Sequence, residues 1–179
     1  MRAEDILYFW FTENGPKQWW QKSADFDAVI CRKFKNAYEL AIVGGLSDWR
    51  DTDRGRLAEI IVIDQFARNM FRNTPRAFAA DPVALVLSQE AVMRGVGETW
   101  SPEMKQFLYM PYMHSEELGV HEEAVELFSA PGLEDNLDFE LRHKAIIDRF
   151  GRYPHRNAIL GRESTKEEIE FLKQPGSSF

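Results

Sequence analysis

At 179 residues, 44% of them apolar and with 13 Phe and 5 Trp, the chain has the length and composition of one globular domain with its own core; a disordered segment is excluded. A net charge of −7 argues against a general nucleic-acid binder, and a single cysteine, Cys31, excludes an intrachain disulfide and suits a reducing compartment. No apolar run approaches the roughly 20 residues needed to span a bilayer. Glu4 and Asp5 interrupt the apolar start, so no signal peptide is expected, and the chain reads as cytoplasmic, without membrane contact.

The predicted elements are helices throughout. Ser23 is placed to cap a helix whose apolar residues, Phe26, Ile30, Phe34, Tyr38 and Ile42, recur every four positions until Gly44-Gly45 stops them. Leu57, Ile60 and Ile61 share a helical face with Asp64 and Arg68. Asp81-Pro82 predicts a helix start, with Asp as the cap and Pro at the first helical position, and Gly95 predicts its end. Ser101-Pro102-Glu103 starts another helix, which Pro111 is expected to kink or break. A short helix fits His121 to Phe128. Asp135 or Asn136 opens a longer one, and Gly151 closes it. Ser164 to Glu167 has capping-box spacing, and residues 174–179 read as a loose tail. Roughly seven to nine helices and no hairpin signal predict one all-α domain over residues 1–179, built as a helical bundle of antiparallel helix pairs.

Three segments carry unusual polar chemistry. Of the 22 basic residues 14 are Arg, and five of those lie between positions 142 and 163. The run from Asp148 to Asn157 holds Arg149, Arg152, His155 and Arg156 around Phe150 and Tyr153, with Gly151 and Pro154 stiffening the backbone. Arginine forks suit carboxylates and phosphates. Arg152, His155 and Arg156 either converge on such an anion, with Asn157 adding neutral donors, or tie helix ends together. Asp64, Arg68 and Arg72 are spaced four apart on a helix, so Asp64 either orients Arg68 for an anion or forms part of an internal ladder of ion pairs. The third segment sets His114 beside Glu116 and Glu117. His143, among Ile146, Ile147 and Phe150, reads as a core histidine. No metal-ligand spacing and no glycine-rich phosphate loop occur, so neither a metal nor another cofactor is expected.

Phe9 to Phe11, Asp64 to Asn69, Tyr109 to Glu116, Arg149 to Asn157 and Leu160 to Arg162 together resemble the mostly bacterial family catalogued as domain of unknown function 924, over about residues 6 to 172. The resemblance implies an all-helical, tetratricopeptide-like fold, a degenerate helical repeat, and brings no activity, substrate or catalytic residue with it. The family often carries Pro after the Phe of its Asp-Gln-Phe run. Ala67 stands there in this chain, which should leave that helix less kinked.

Three functions remain open on the residues. The first is a binder of a small anion or peptide carboxylate among Arg68, Asn69, Arg72, His114, Glu116, Arg152, His155, Arg156 and Asn157. The second is a hydrolase with His114 or His155 as general base, oriented by a carboxylate such as Glu116 or Asp148. The third is a helical scaffold that binds partner peptides and whose polar knot is architecture. The absence of a nucleophile motif ranks binding above catalysis.

Overall fold

Among the described residues, the hydroxyls of Ser23, Thr52 and Thr165 cap helix starts, and the left-handed Gly151 and Gly161 end two helices. In the computed structural model, which describes residues 1–178, helix α1 (Ala3–Tyr8) runs into a wide π turn, Phe9–Glu13, and is followed by the short α2 (Pro16–Trp20). Ser23 caps α3 (Ala24–Ala41) by accepting from the Phe26 N–H at 3.3 Å. Thr52 caps α4 (Asp53–Ile61) in the same way, through the Gly55 N–H. Another π turn, Val62–Phe66, joins α4 to the single-turn α5 (Ala67–Met70). Then come α6 (Asp81–Met93), α7 (Pro102–Met113), α8 (Leu118–Phe128) and α9 (Glu134–Phe150), followed by the short α10 (Asn157–Leu160) and α11 (Lys166–Phe171). Among the described residues there is no strand. No helix is long and apolar enough to cross a membrane.

Helix α4 and its π turn are the centre of the packing. They lie against α1, α3, α6 and α7, while α6 to α9 pack on one another in chain order. The main core gathers Ile6, Trp10, Ile30, Phe34, Leu57, Ile61, Phe66, Phe107 and Phe128, and Trp10 packs edge-on against Phe66 and Phe107. A smaller core of Ile146, Ile147 and Tyr153 is closed by Phe150 and Phe171. Between Gly151 (φ 64°) and Gly161 (φ 67°), both left-handed helix ends, the chain folds back onto the bundle and carries residues 152–160 inward.

Several local expectations need correction. Asp81 does not cap α6: Ala80 holds the N-cap position, and the Asp81 carboxylate is drawn to two arginines. Pro111 does not break α7. It sits inside the helix, which continues to Met113. The capping box lies one residue further on, between Thr165 and Glu168. Helix α9 opens at Glu134. In the expected tail, Ser177 is buried and its hydroxyl donates to the Leu172 carbonyl at 3.1 Å. Phe179 lies outside the described residues.

Gly55 offers a test of the α4 junction. A Cβ there would sit 1.9 Å from the Trp49 carbonyl oxygen, a backbone atom that cannot swing aside. Gly55→Ala is expected to destabilise by about 1–3 kcal/mol despite the better helix propensity of alanine. At roughly 2–4 °C per kcal/mol for a domain of this size, a melting curve reads that loss directly. An unchanged melting temperature would contradict the packing.

Candidate functional site

The π turn and the chain after α9 meet in a chain of buried ionic contacts. Asp64, fully buried, faces His114 Nδ1 at 2.7 Å with one oxygen, and the same oxygen lies 3.0 Å from Arg68 Nη1. Arg68 also donates to the Asp64 backbone carbonyl and, end-on with both terminal nitrogens, to the Asp81 carboxylate at 3.0 Å. Asp81 in turn pairs with Arg156 Nη1 at 3.3 Å. His114, Asp64, Arg68, Asp81 and Arg156 therefore form one continuous relay, assembled from α7, the π turn, α5, the start of α6 and the turn before α10. Gln65 adds a side-chain amide that donates to Asp64 and to Met110 sulfur.

Burial and charge set the protonation states. Burial alone pushes the Asp64 carboxyl up, but Arg68 and His114 overcome it and hold the group well below the usual carboxylate range. Burial pushes the His114 imidazole down, Arg68 adds to this, and Asp64 recovers only part of it. His114 is thus neutral at pH 7, and with Nδ1 donating to Asp64 its lone pair lies on Nε2. The side chain keeps 16% of its surface open, and its side-chain hydrogen bond among the described residues is the one at Nδ1.

Arg156 differs from its neighbours. Its guanidinium lies 4.6 Å from the centre of the Phe78 ring and 4.6 Å from that of Tyr153. Burial, then Arg68, lowers its affinity for its own proton. Its Nε is buried and, among the described residues, has no hydrogen-bond partner. Among the described residues the carboxylate it touches, Asp81, is reached through Nη1, and its side-on edge, Nε with Nη2, is committed to none.

The remaining candidates are spent elsewhere. Arg72 turns its side-on edge to Asp27 on α3, and Asn69 donates to the same carboxylate, because the helix ends at Met70 and the ladder expected from Asp64 through Arg68 to Arg72 stops there. Arg152 spends its edge on Glu168 and its other contact on the Glu163 carbonyl, and holds the Glu168 carboxyl down at about 2. Glu116 accepts from Arg162 and from the Tyr153 N–H, so it braces the turn and does not orient His114. Asn157, fully buried, links Arg162 to Ser164. Asp148 pairs with Lys144 and not with a histidine. His155 stacks obliquely on Tyr153, with ring centres 5.4 Å apart. Asp81, expected only as a helix cap, and Arg162, named only within a resembling run, were not among the candidate site residues. An acidic residue in the first turn of a helix satisfies the helix dipole whether or not it also bridges arginines, so no local signal distinguished Asp81.

A second buried network adjoins the first through Tyr153. Its hydroxyl donates to the Met113 carbonyl at 2.6 Å and sits 3.3 Å from His121 Nε2. His121 Nε2 donates to the Ser115 carbonyl, and Nδ1 lies 2.6 Å from Glu140 Oε1. Burial pushes the Glu140 carboxyl up against the opposing pull of His121. Two open depressions of the surface lie apart from these networks. One, of about 600 Å³, is lined by Arg2, Asp5, Tyr8, Phe9 and Lys33; the other, of about 670 Å³, is walled by Glu117, Glu122, Glu123 and Glu126. Among the described residues no three His, Cys, Asp or Glu side chains are gathered as a metal ion would need.

Fold and site together define an all-helical domain organised around a buried arginine, histidine and carboxylate relay. The chain belongs to the family of bacterial proteins of unknown function designated DUF924, which matches residues 6–176. It is similar to a solved protein of unknown function from Agrobacterium tumefaciens, ATU0120, with 37% identity, 96% of each chain covered and a TM-score of 0.91. Among curated proteins none matches it.

Asp81 compensates two buried cations at once. Asp81→Asn should therefore cost about 3–5 kcal/mol, as expected when a buried charge loses its partner. A chemical denaturation midpoint close to that of the wild type would count against the relay.

Acid should weaken the same region. Burial pushes the His143 imidazole down to about 3, and burial with Arg156 pushes that of His155 down to about 4. An unfolded histidine titrates near 6.5. The unfolded chain thus takes up protons first, so the stability contributed by these two groups is complete above pH 6.5 and is lost as pH falls towards 4. Glu140, held high, works in the opposite sense, its contribution being lost as pH rises. Denaturant midpoints at pH 7 and pH 5 should show a net fall, smaller in His155→Gln.

Proposed function

We propose that the protein binds a small anion, foremost a carboxylate, at Arg156, with His114 and His155 at the rim of the same site. One observation carries this reading: Arg156 is a buried guanidinium whose side-on edge, the geometry that takes a carboxylate with two parallel N–H bonds, is committed to no carboxylate among the described residues. Arg72, Arg152 and Arg50 spend that same edge on Asp27, Glu168 and Glu59. The rings of Phe78 and Tyr153 fix the plane of the Arg156 guanidinium, so little side-chain entropy remains to be lost on binding. Arg68 stands beside this site through the shared Asp81, while Arg72, Asn69, Arg152, Glu116 and Asn157 are committed to other partners and make no direct contact with the ligand. Cys31, half-buried and unpaired, suits the reducing cytoplasm as its location.

Thermal melts test the proposal. At constant pH and ionic strength, replacing chloride with succinate or phosphate should raise the melting temperature of the wild type. An anion at 100 times its Kd stabilises by about 2.7 kcal/mol, or several degrees at roughly 2–4 °C per kcal/mol. Arg156→Met, which keeps the apolar stem between the two rings and removes the fork, should melt cooperatively and show no anion effect. A wild type indifferent to both anions would refute binding; an Arg156→Met variant that still responds would move the site elsewhere.

A further inference from the structure

We propose that Asp64 and His114 form a general-base dyad that hydrolyses a small acyl ester or amide bearing a free carboxylate, the carboxylate being held by Arg156. This rests on the anion-binding reading above and adds a reaction to it. Three features of the geometry support the assignment. First, the carboxylate contact at 2.7 Å lies on Nδ1, which fixes the ring plane and leaves the basic lone pair on Nε2. Second, among the described residues the hydrogen bond of His114 is made at Nδ1 and none at Nε2. The other buried pair, His121 with Glu140, has the same short contact, but its second nitrogen is tied to the Ser115 carbonyl, so only His114 is equipped to take a proton from a visiting molecule. Third, the dyad is joined to Arg156 through Arg68 and Asp81, with each contact between 2.7 and 3.3 Å, so the base and the anchoring cation are held in one rigid frame.

The step balances with water alone. His114 Nε2 accepts a proton from water as the water oxygen bonds to the acyl carbon. The acyl C–O or C–N bond then breaks, and the proton on Nε2 passes to the leaving oxygen or nitrogen. The products are a carboxylic acid and an alcohol or amine. Asp64 is the positioning residue: it orients the imidazole and stabilises the imidazolium between the two transfers. Arg68 supplies a fixed positive charge beside the dyad, although its own hydrogen bonds are spent on Asp64 and Asp81.

The test compares the mono-4-nitrophenyl ester of glutaric acid with the uncharged 4-nitrophenyl butyrate. The wild type should hydrolyse the charged ester above the buffer rate and in preference to the neutral one. His114→Asn should lower kcat by a factor of about 10²–10⁴, the range of a positioned general base, while keeping the stabilisation by succinate. Arg156→Met should raise KM for the charged ester and so erase the preference for it over the neutral one. Asp64→Asn should lower kcat with KM little changed, which a purely structural carboxylate would not do selectively. No turnover by the wild type, or unchanged turnover in His114→Asn, overturns the dyad while leaving anion binding intact. Loss of the succinate effect in the wild type overturns both. Should His114→Asn fail to fold, diethyl pyrocarbonate on the wild type decides: turnover must fall in step with modification of His114 measured by mass spectrometry, and turnover that survives complete modification overturns the proposal.

Discussion

The polar interior depends on one carboxylate held between two guanidinium groups. Arg68 and Arg156 repel each other in a setting that water barely reaches, and Asp81 lies between them. At low effective dielectric that repulsion would be severe without the shared anion. Buried pairs of this kind add little net stability, because removing the charges from water offsets most of their attraction. What Asp81 fixes is geometry. It ties the first turn of α6 to the π turn on one side and to the chain after α9 on the other, and so sets where Arg156 and His114 stand relative to each other.

Tyr153 joins this relay to the second network. Its ring supports Arg156 and His155, its N–H is held by Glu116, and its hydroxyl reaches Met113 and His121. One fully buried side chain thus registers the arginine relay against the His121–Glu140 pair and against α7. The two left-handed glycines at either end of residues 152–160 make that insertion feasible, since each reverses the chain where a residue with a Cβ would be strained.

What was legible in the sequence was mostly local. The Ser23 cap, the repeat from Phe26 to Tyr38, and the glycines at 95 and 151 each act within a few residues, and helices formed where they pointed. The polar character of the three segments was legible too, because arginine, histidine and buried carboxylates are costly to place without partners. The identity of the partners was not. Arg72 and Arg152 looked equivalent to Arg156, yet Asp27 and Glu168, 45 and 16 residues away, claim them. His114 sits next to two glutamates in sequence and pairs with an aspartate 50 residues earlier. Pro111 was expected to interrupt α7, yet the helix carries it through to Met113. A capping pattern fixed the last helix to within one residue, since Ser164 and Thr165 offer near-identical hydroxyls and only the reach of Glu168 to Arg152 separates them.

The span of the relay also bears on how the chain is made. Asp64 meets a residue 50 positions later, and Asp81 one 75 positions later. During N-to-C synthesis Arg68 and Asp81 are both available once α6 has emerged, but Asp64 waits for α7 to deliver His114. The Phe78 face waits longer still, for Arg156. Closing such long loops costs entropy that only the late contacts return. Much of the apolar core, from Ile6 to Phe66, is therefore made before the relay can close, while Phe107 and Phe128 arrive with the later helices. The relay is complete only when Arg156, carried by the chain after α9, has left the ribosome and folded back.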